Sequence, residues 1–93
     1  MKYKQKDGYI LRDIAGELML FPTGSNIQEF QGVIVLNELA AFLWNRMNNY
    51  VSTEKLVNDV LNEYDIDAAQ AINDLEQLIN TFIQYDVIQN DDL

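Results

Sequence analysis

Cysteine and histidine are both missing from this chain of 93 residues. Without cysteine there is no disulfide frame, no thiolate nucleophile and no thiolate metal site. Without histidine the usual general base near neutral pH is gone, and so is the commonest metal ligand. Proline occurs once and the 4 glycines are scattered singly, so there is no glycine-rich phosphate loop. Serine occurs only as Ser25 and Ser52, and neither sits in a nucleophile-elbow pattern. The D-x-[DN]-x-[DN]-G spacing of a calcium loop is also missing. The acidic residues Asp59, Glu63, Asp65, Asp67, Asp74 and Glu76 fall mostly on polar helix faces or at helix caps. The expectation is a protein that is not an enzyme and carries no metal or cofactor.

Basic charge is scarce in one half of the chain. In residues 1–46, Lys2, Lys4, Lys6, Arg12 and Arg46 balance Asp7, Asp13, Glu17, Glu29 and Glu38. Residues 47–93 carry Lys55 against ten carboxylates, so the whole net charge of −9 sits there. Such a face repels phosphate backbones, whose binding requires several cations, and it steers cationic partners instead. No stretch approaches the roughly 20 apolar residues that span a bilayer, and no apolar run behind Met1 resembles a signal sequence. A soluble, cytoplasmic protein is expected. At this length one domain buries about 65% of the surface of its unfolded chain, and 48% hydrophobic residues suffice for a thin core.

Periodicity orders the elements. Residues 1–8 read as a flexible basic tail and 89–93 as a polar one, with a single domain over 9–88. Residues 9–14, YILRDI, alternate as a strand, with Ile10, Arg12 and Ile14 on one side and Tyr9 and Leu11 on the other. Ala15-Gly16 supplies a tight turn. Residues 17–22, ELMLFP, return as a second strand that Pro22 ends. After a turn-rich connection, residues 30–36, FQGVIVL, form a third strand that runs straight into a helix.

Asn37 is a good N-cap for that first helix, with Glu38 near its N-terminus and Leu39, Ala40, Phe42, Leu43, Trp44 and Met47 as its apolar stripe. Ser52 caps a second helix over about 53–64. Asp67, with Gln70 three residues later, resembles a capping box for a third over about 68–85. The order predicts an α+β, winged-helix-like fold, a three-stranded antiparallel sheet followed by three helices. A winged helix often reads DNA, and the third helix would be the reader. It holds Asp74 and Glu76 and, over residues 68–85, no lysine or arginine, whereas a groove reader needs donors for base edges and phosphates. No nucleic acid is expected as a partner.

The third strand is uncharged on both faces. Phe30, Gly32, Ile34 and Leu36 point one way, and Gln31, Val33 and Val35 the other. No lysine or proline blocks pairing along it, although natural proteins usually blunt a free edge in this way. Either the strand is central with both faces covered, or it is an edge left open for an added strand. The third helix is also rich in apolar groups, with Leu75 and Ile79 near mid-stripe, Phe82 and Leu78 on one flank, and Ile72 and Ile83 on the other. Its apolar arc is wider than a simple surface helix requires.

The segments GYILRDIAGELMLFPTG, VIVLNELAAFLW, STEKLVNDVLNEYDID and DLEQLINTFIQYDVI together resemble the PqqD-like family, the peptide-recognition domains of ribosomally synthesised, post-translationally modified peptide pathways. The most specific part is Leu36-Asn37-Glu38 followed by Ala40-Ala41 and Leu43-Trp44. The resemblance implies a non-catalytic module that holds the leader segment of a precursor peptide as an extra strand. It presents that leader to a tailoring enzyme, a radical-SAM protein or a leader peptidase as in lasso-peptide pathways. Carried over by position, the clamp is Gln31, Gly32, Val33, Ile34 and Val35. The groove beside it draws on Val33, Val35, Ile72, Leu75, Ile79 and Phe82. An adaptor that binds only a protein partner is the alternative, and an open edge can also pair two copies into a homodimer.

Overall fold

A computed structural model describes residues 1–24 and 32–91. Among these, six strands and three helices follow one another as β1 (Lys2–Gln5), β2 (Tyr9–Ile14), β3 (Glu17–Pro22), β4 (Ile34–Leu36), α1 (Glu38–Asn45), β5 (Val51–Ser52), α2 (Thr53–Glu63), α3 (Ala68–Gln84) and β6 (Ile88–Asn90). The expected α+β architecture is present: an antiparallel sheet in the order β2-β3-β4 beside three helices. Strands β2 and β3 have the bounds read from alternation. They are joined by Ala15 and Gly16, both at positive φ (55° and 86°). Positive φ at both central residues is the type I′ turn, whose twist matches the strands it joins. Asp13 Oδ1 accepts from the Gly16 N–H at 3.0 Å and steadies it.

Each helix starts where a side chain can take up its free N–H groups. Asn37 Oδ1 accepts from Ala40 N at 2.8 Å, Ser52 Oγ from Lys55 N at 3.1 Å, and Asp67 Oδ1 from Gln70 N at 2.8 Å. The Gln70 side chain donates onward to Asp74 Oδ1 at 2.7 Å, so it serves the first turn rather than a reciprocal box. Helix α3 ends in a Schellman motif. Val87 N donates to Phe82 O at 3.1 Å and Asp86 N to Ile83 O at 3.0 Å. Asp86 takes the left-handed position, φ 61°, and pairs with Lys6.

The core lies between the β2-β3-β4 sheet and the helices, around the fully buried Leu20, Leu43, Leu56, Val60 and Phe82. Trp44 sits at its middle, edge-on to Tyr9 (6.5 Å) and to Phe82 (5.8 Å). Among the described residues no helix is long and apolar enough to cross a membrane.

The expectation of a flexible basic tail at residues 1–8 is corrected. Lys2–Gln5 is the middle strand of a second sheet, ordered β5-β1-β6. Tyr3 is buried in the core, and Gln5 donates from its backbone to Met47 O (2.8 Å) and from Nε2 to Trp44 O (2.6 Å), closing the end of α1. Three lysines around one tyrosine read as polar, but alternation buries Tyr3 while the lysine stems lie outside. The polar tail expected at 89–93 begins, likewise, with paired residues, because β6 continues to Asn90.

Candidate functional site

Strand β4 is an edge. It pairs with β3 through Leu18↔Leu36, Met19↔Val35 and Leu20↔Ile34, and no described strand pairs with its other side. Of the two readings that the pattern left open, the edge is the one the fold adopts. Gln31 and Phe30 lie outside the described residues. Gly32, at φ 111°, turns the chain through a conformation open to glycine, and Val33 leads into Ile34–Leu36. Alternation is strict: Ile34 and Leu36 are buried, while Val33 is 42% exposed and Val35 is 62% exposed. Leu36 is followed by Asn37, which caps α1 through its side chain, while its carbonyl accepts from Ala41 N at 3.0 Å. The strand therefore enters the helix with no slack, and no described strand takes up its outer backbone groups.

A groove of about 350 Å³ runs between this edge and α3. One wall is residues 33–37 with Ala40, and the other is Leu78, Thr81, Phe82 and Tyr85. Those four follow the spacing i, i+3, i+4, i+7, one face of a helix. No lining residue is charged. Thr81 Oγ1 donates to Gln77 O at 3.0 Å, so its hydroxyl turns back onto its own helix and the wall presents mainly carbon. Phe82 is fully buried, Leu78 half-buried, and Tyr85 44% exposed at the rim. The Schellman motif that closes α3 runs through the Phe82 carbonyl, so the cap also fixes the end of the groove.

Such a site offers backbone hydrogen bonds and apolar contact, and no carboxylate, lysine or arginine lines it. Among the described residues, the group whose titration is clearly displaced lies elsewhere. Burial, then Glu38 and Glu63, raise the Tyr64 phenol above its ordinary 10.0, and Tyr64 packs edge-on to Phe42 at 5.5 Å. Among the described residues no cluster of acidic side chains has the makings of a metal site.

Of the four helix residues expected beside the strand, Phe82 lines this groove. Ile72, Leu75 and Ile79 line a different one, between α3 and α2. Sequence reasoning missed Leu78, Thr81 and Tyr85 as strand-side residues. Their signal was available, since they share a helical face with Phe82. What was lacking was the side from which α3 meets the sheet.

A family model described as "Coenzyme PQQ synthesis protein D (PqqD)" matches residues 10–88. The match runs from Ile10 in β2 to Ile88, the first residue of β6, and leaves out β1. No curated protein and no solved structure matches the chain.

Proposed function

The chain belongs to the PqqD family, and from that premise we propose that it captures the leader of a ribosomal precursor peptide as a fourth strand on β4 and presents it to a tailoring enzyme. Membership implies a peptide-binding, non-catalytic partner of a radical-SAM enzyme in a pathway of the PQQ or modified-peptide kind. The capture mode is our reading. One observation carries it: a strand edge with which no described strand pairs borders an uncharged groove on α3. In strand addition the backbone supplies affinity, and pockets for alternate side chains supply specificity. Leader residues that point inward meet Leu78, Phe82 and Tyr85, and those that point outward lie beside Val33 and Val35. A leader peptidase in place of the radical-SAM protein uses the same presentation.

The test is a titration of the ¹⁵N-labelled protein with the leader encoded beside its gene. Shifts are expected at residues 32–36 and at Leu78, Thr81 and Tyr85. Saturating leader without shifts there overturns the reading. A folded Val35→Pro or Val33→Pro variant is expected to lose the interaction, because proline removes a ladder donor or breaks the pairing. Full affinity in either folded variant sinks strand addition. Sedimentation of the protein alone reports whether a second copy occupies the edge instead.

A further inference from the structure

Helix α3 carries a second stripe of the same spacing. Ile72, Leu75, Glu76 and Ile79 follow i, i+3, i+4, i+7, as Leu78, Thr81, Phe82 and Tyr85 do. The two stripes are offset by six residues, which at roughly 100° per residue sets them about 120° apart around the helix. The second stripe forms one wall of a groove whose other sides are the start of α2, with Val57 and Glu54, and the start of the chain, with Met1 and Tyr3. At about 690 Å³ it is roughly twice the size of the groove beside β4. Leu75 and Ile79 are buried in its floor, and Ile72, 45% exposed, stands at its mouth.

Its charge is one-sided. The charged side chains lining it are Glu54 and Glu76, one on each wall, and no lysine or arginine lines it. Lys55, which follows Glu54, is paired with Asp59 on its own helix. The walls are two helices and the start of β1, a strand already paired on both sides, so an extended guest has no ladder to join. An amphipathic helix does fit, anchored at i, i+3, i+4 and i+7. Residues 72–79 of α3 rise by about 10 Å, close to two helical turns. A second copy would bring another net charge of −9 to the contact, which makes it a poor occupant.

We propose that this groove docks a basic amphipathic helix presented by the peptide-modifying enzyme. The proposal rests on the reading that the protein presents a peptide to an enzyme. Leader and enzyme then occupy opposite flanks of one helix at the same time. The neutral groove on β4 and the acidic one on α2 keep the two guests apart by charge as well as by backbone pairing.

The probe is a synthetic 15-residue helix with leucines at i, i+3, i+4 and i+7 and lysines opposite, compared with an isomer of the same composition whose leucines are spread around the helix. Added to the ¹⁵N-labelled full chain, the amphipathic peptide should give saturable shifts at Val57, Ile72, Leu75 and Ile79. It should bind at least tenfold more tightly than its isomer. Glu54→Lys combined with Glu76→Lys, both on exposed side chains, should weaken it at least tenfold while leader affinity stays within twofold. Equal binding of the two peptides, shifts at residues 33–36 instead, displacement by leader, or self-association of the protein through this groove overturns the proposal. The leader titration reads the opposite flank of α3, so either idea can fail without the other.

Discussion

The two sheets are built from opposite materials. Strands β2, β3 and β4 follow one another within residues 9–36, two of them six residues long and joined by a two-residue turn. Strands β1, β5 and β6 have four, two and three residues and come from the start, middle and end of the chain. Strands that short do not persist alone. The packing of α1, α2 and α3 brings Val51–Ser52 and Ile88–Asn90 to either side of β1. The first sheet has one edge, β4, with which no described strand pairs. The second has its middle strand paired on both sides and ties the start of α2 to the end of α3. Local order leaves a strand available for binding, and distant pairing holds the frame that presents it.

The largest way to break that comparison is to remove the anchor of the second sheet. Tyr3→Ala is expected to cost about 3 kcal/mol of stability, as large-to-small changes of buried aromatics do, measured by urea unfolding. Below the midpoint the folded protein should still bind leader within twofold; loss of binding there would mean that the two sheets are not separate in role. A sharper probe leaves the protein untouched. Leader peptides N-methylated one residue at a time should lose affinity at alternate positions, each by roughly tenfold, about 1.4 kcal/mol. Calorimetric data without that two-residue rhythm would argue against a ladder on β4. Tyr85→Ala should weaken leader binding by about fivefold, close to 1 kcal/mol, and leave the unfolding midpoint nearly unchanged, because its ring stands at the rim.

The smallest effect concerns pH and touches neither sheet. The phenol of Tyr64 is raised in the folded protein, so the unfolded chain gives up that proton first. Its contribution to stability is complete below the ordinary value near pH 10 and is lost as pH rises through the folded one. Tyr64→Phe should flatten that alkaline decline in a pH series of thermal melts. With no histidine or cysteine in the chain, leader affinity should stay level between pH 6 and 7, as titration calorimetry would show.

What could be read from the sequence, and what could not, divides along the same line. The β2-β3 hairpin, the caps Asn37, Ser52 and Asp67, and the helix starts depend on neighbouring residues, and they stood where alternation and capping chemistry put them. So did the buried Trp44. Strand β1 did not, because Lys2-Tyr3-Lys4-Gln5 has a single apolar residue and gains its partners from residues 48 to 87 positions away. The groove was half-readable for the same reason. That β4 was uncharged on both faces was visible in the chain, but the flank of α3 that meets it is set by how the helix crosses the sheet. Ile72, Leu75 and Ile79 satisfied the pattern equally well and belong to the other side.

The junction at Leu36-Asn37 has a mechanical consequence. A strand paired along β4 and drawn along its own length loads every hydrogen bond of the ladder together, whereas a sideways pull peels them one by one. With α1 beginning at Glu38, the host strand is anchored at its end and cannot stretch to share the strain. On the strand-addition reading proposed above, such a clamp would be stiff in tension and weak to peeling. A guest held in it could be hauled lengthwise by whatever works on its far end, and lifted away cheaply once it is approached from the side.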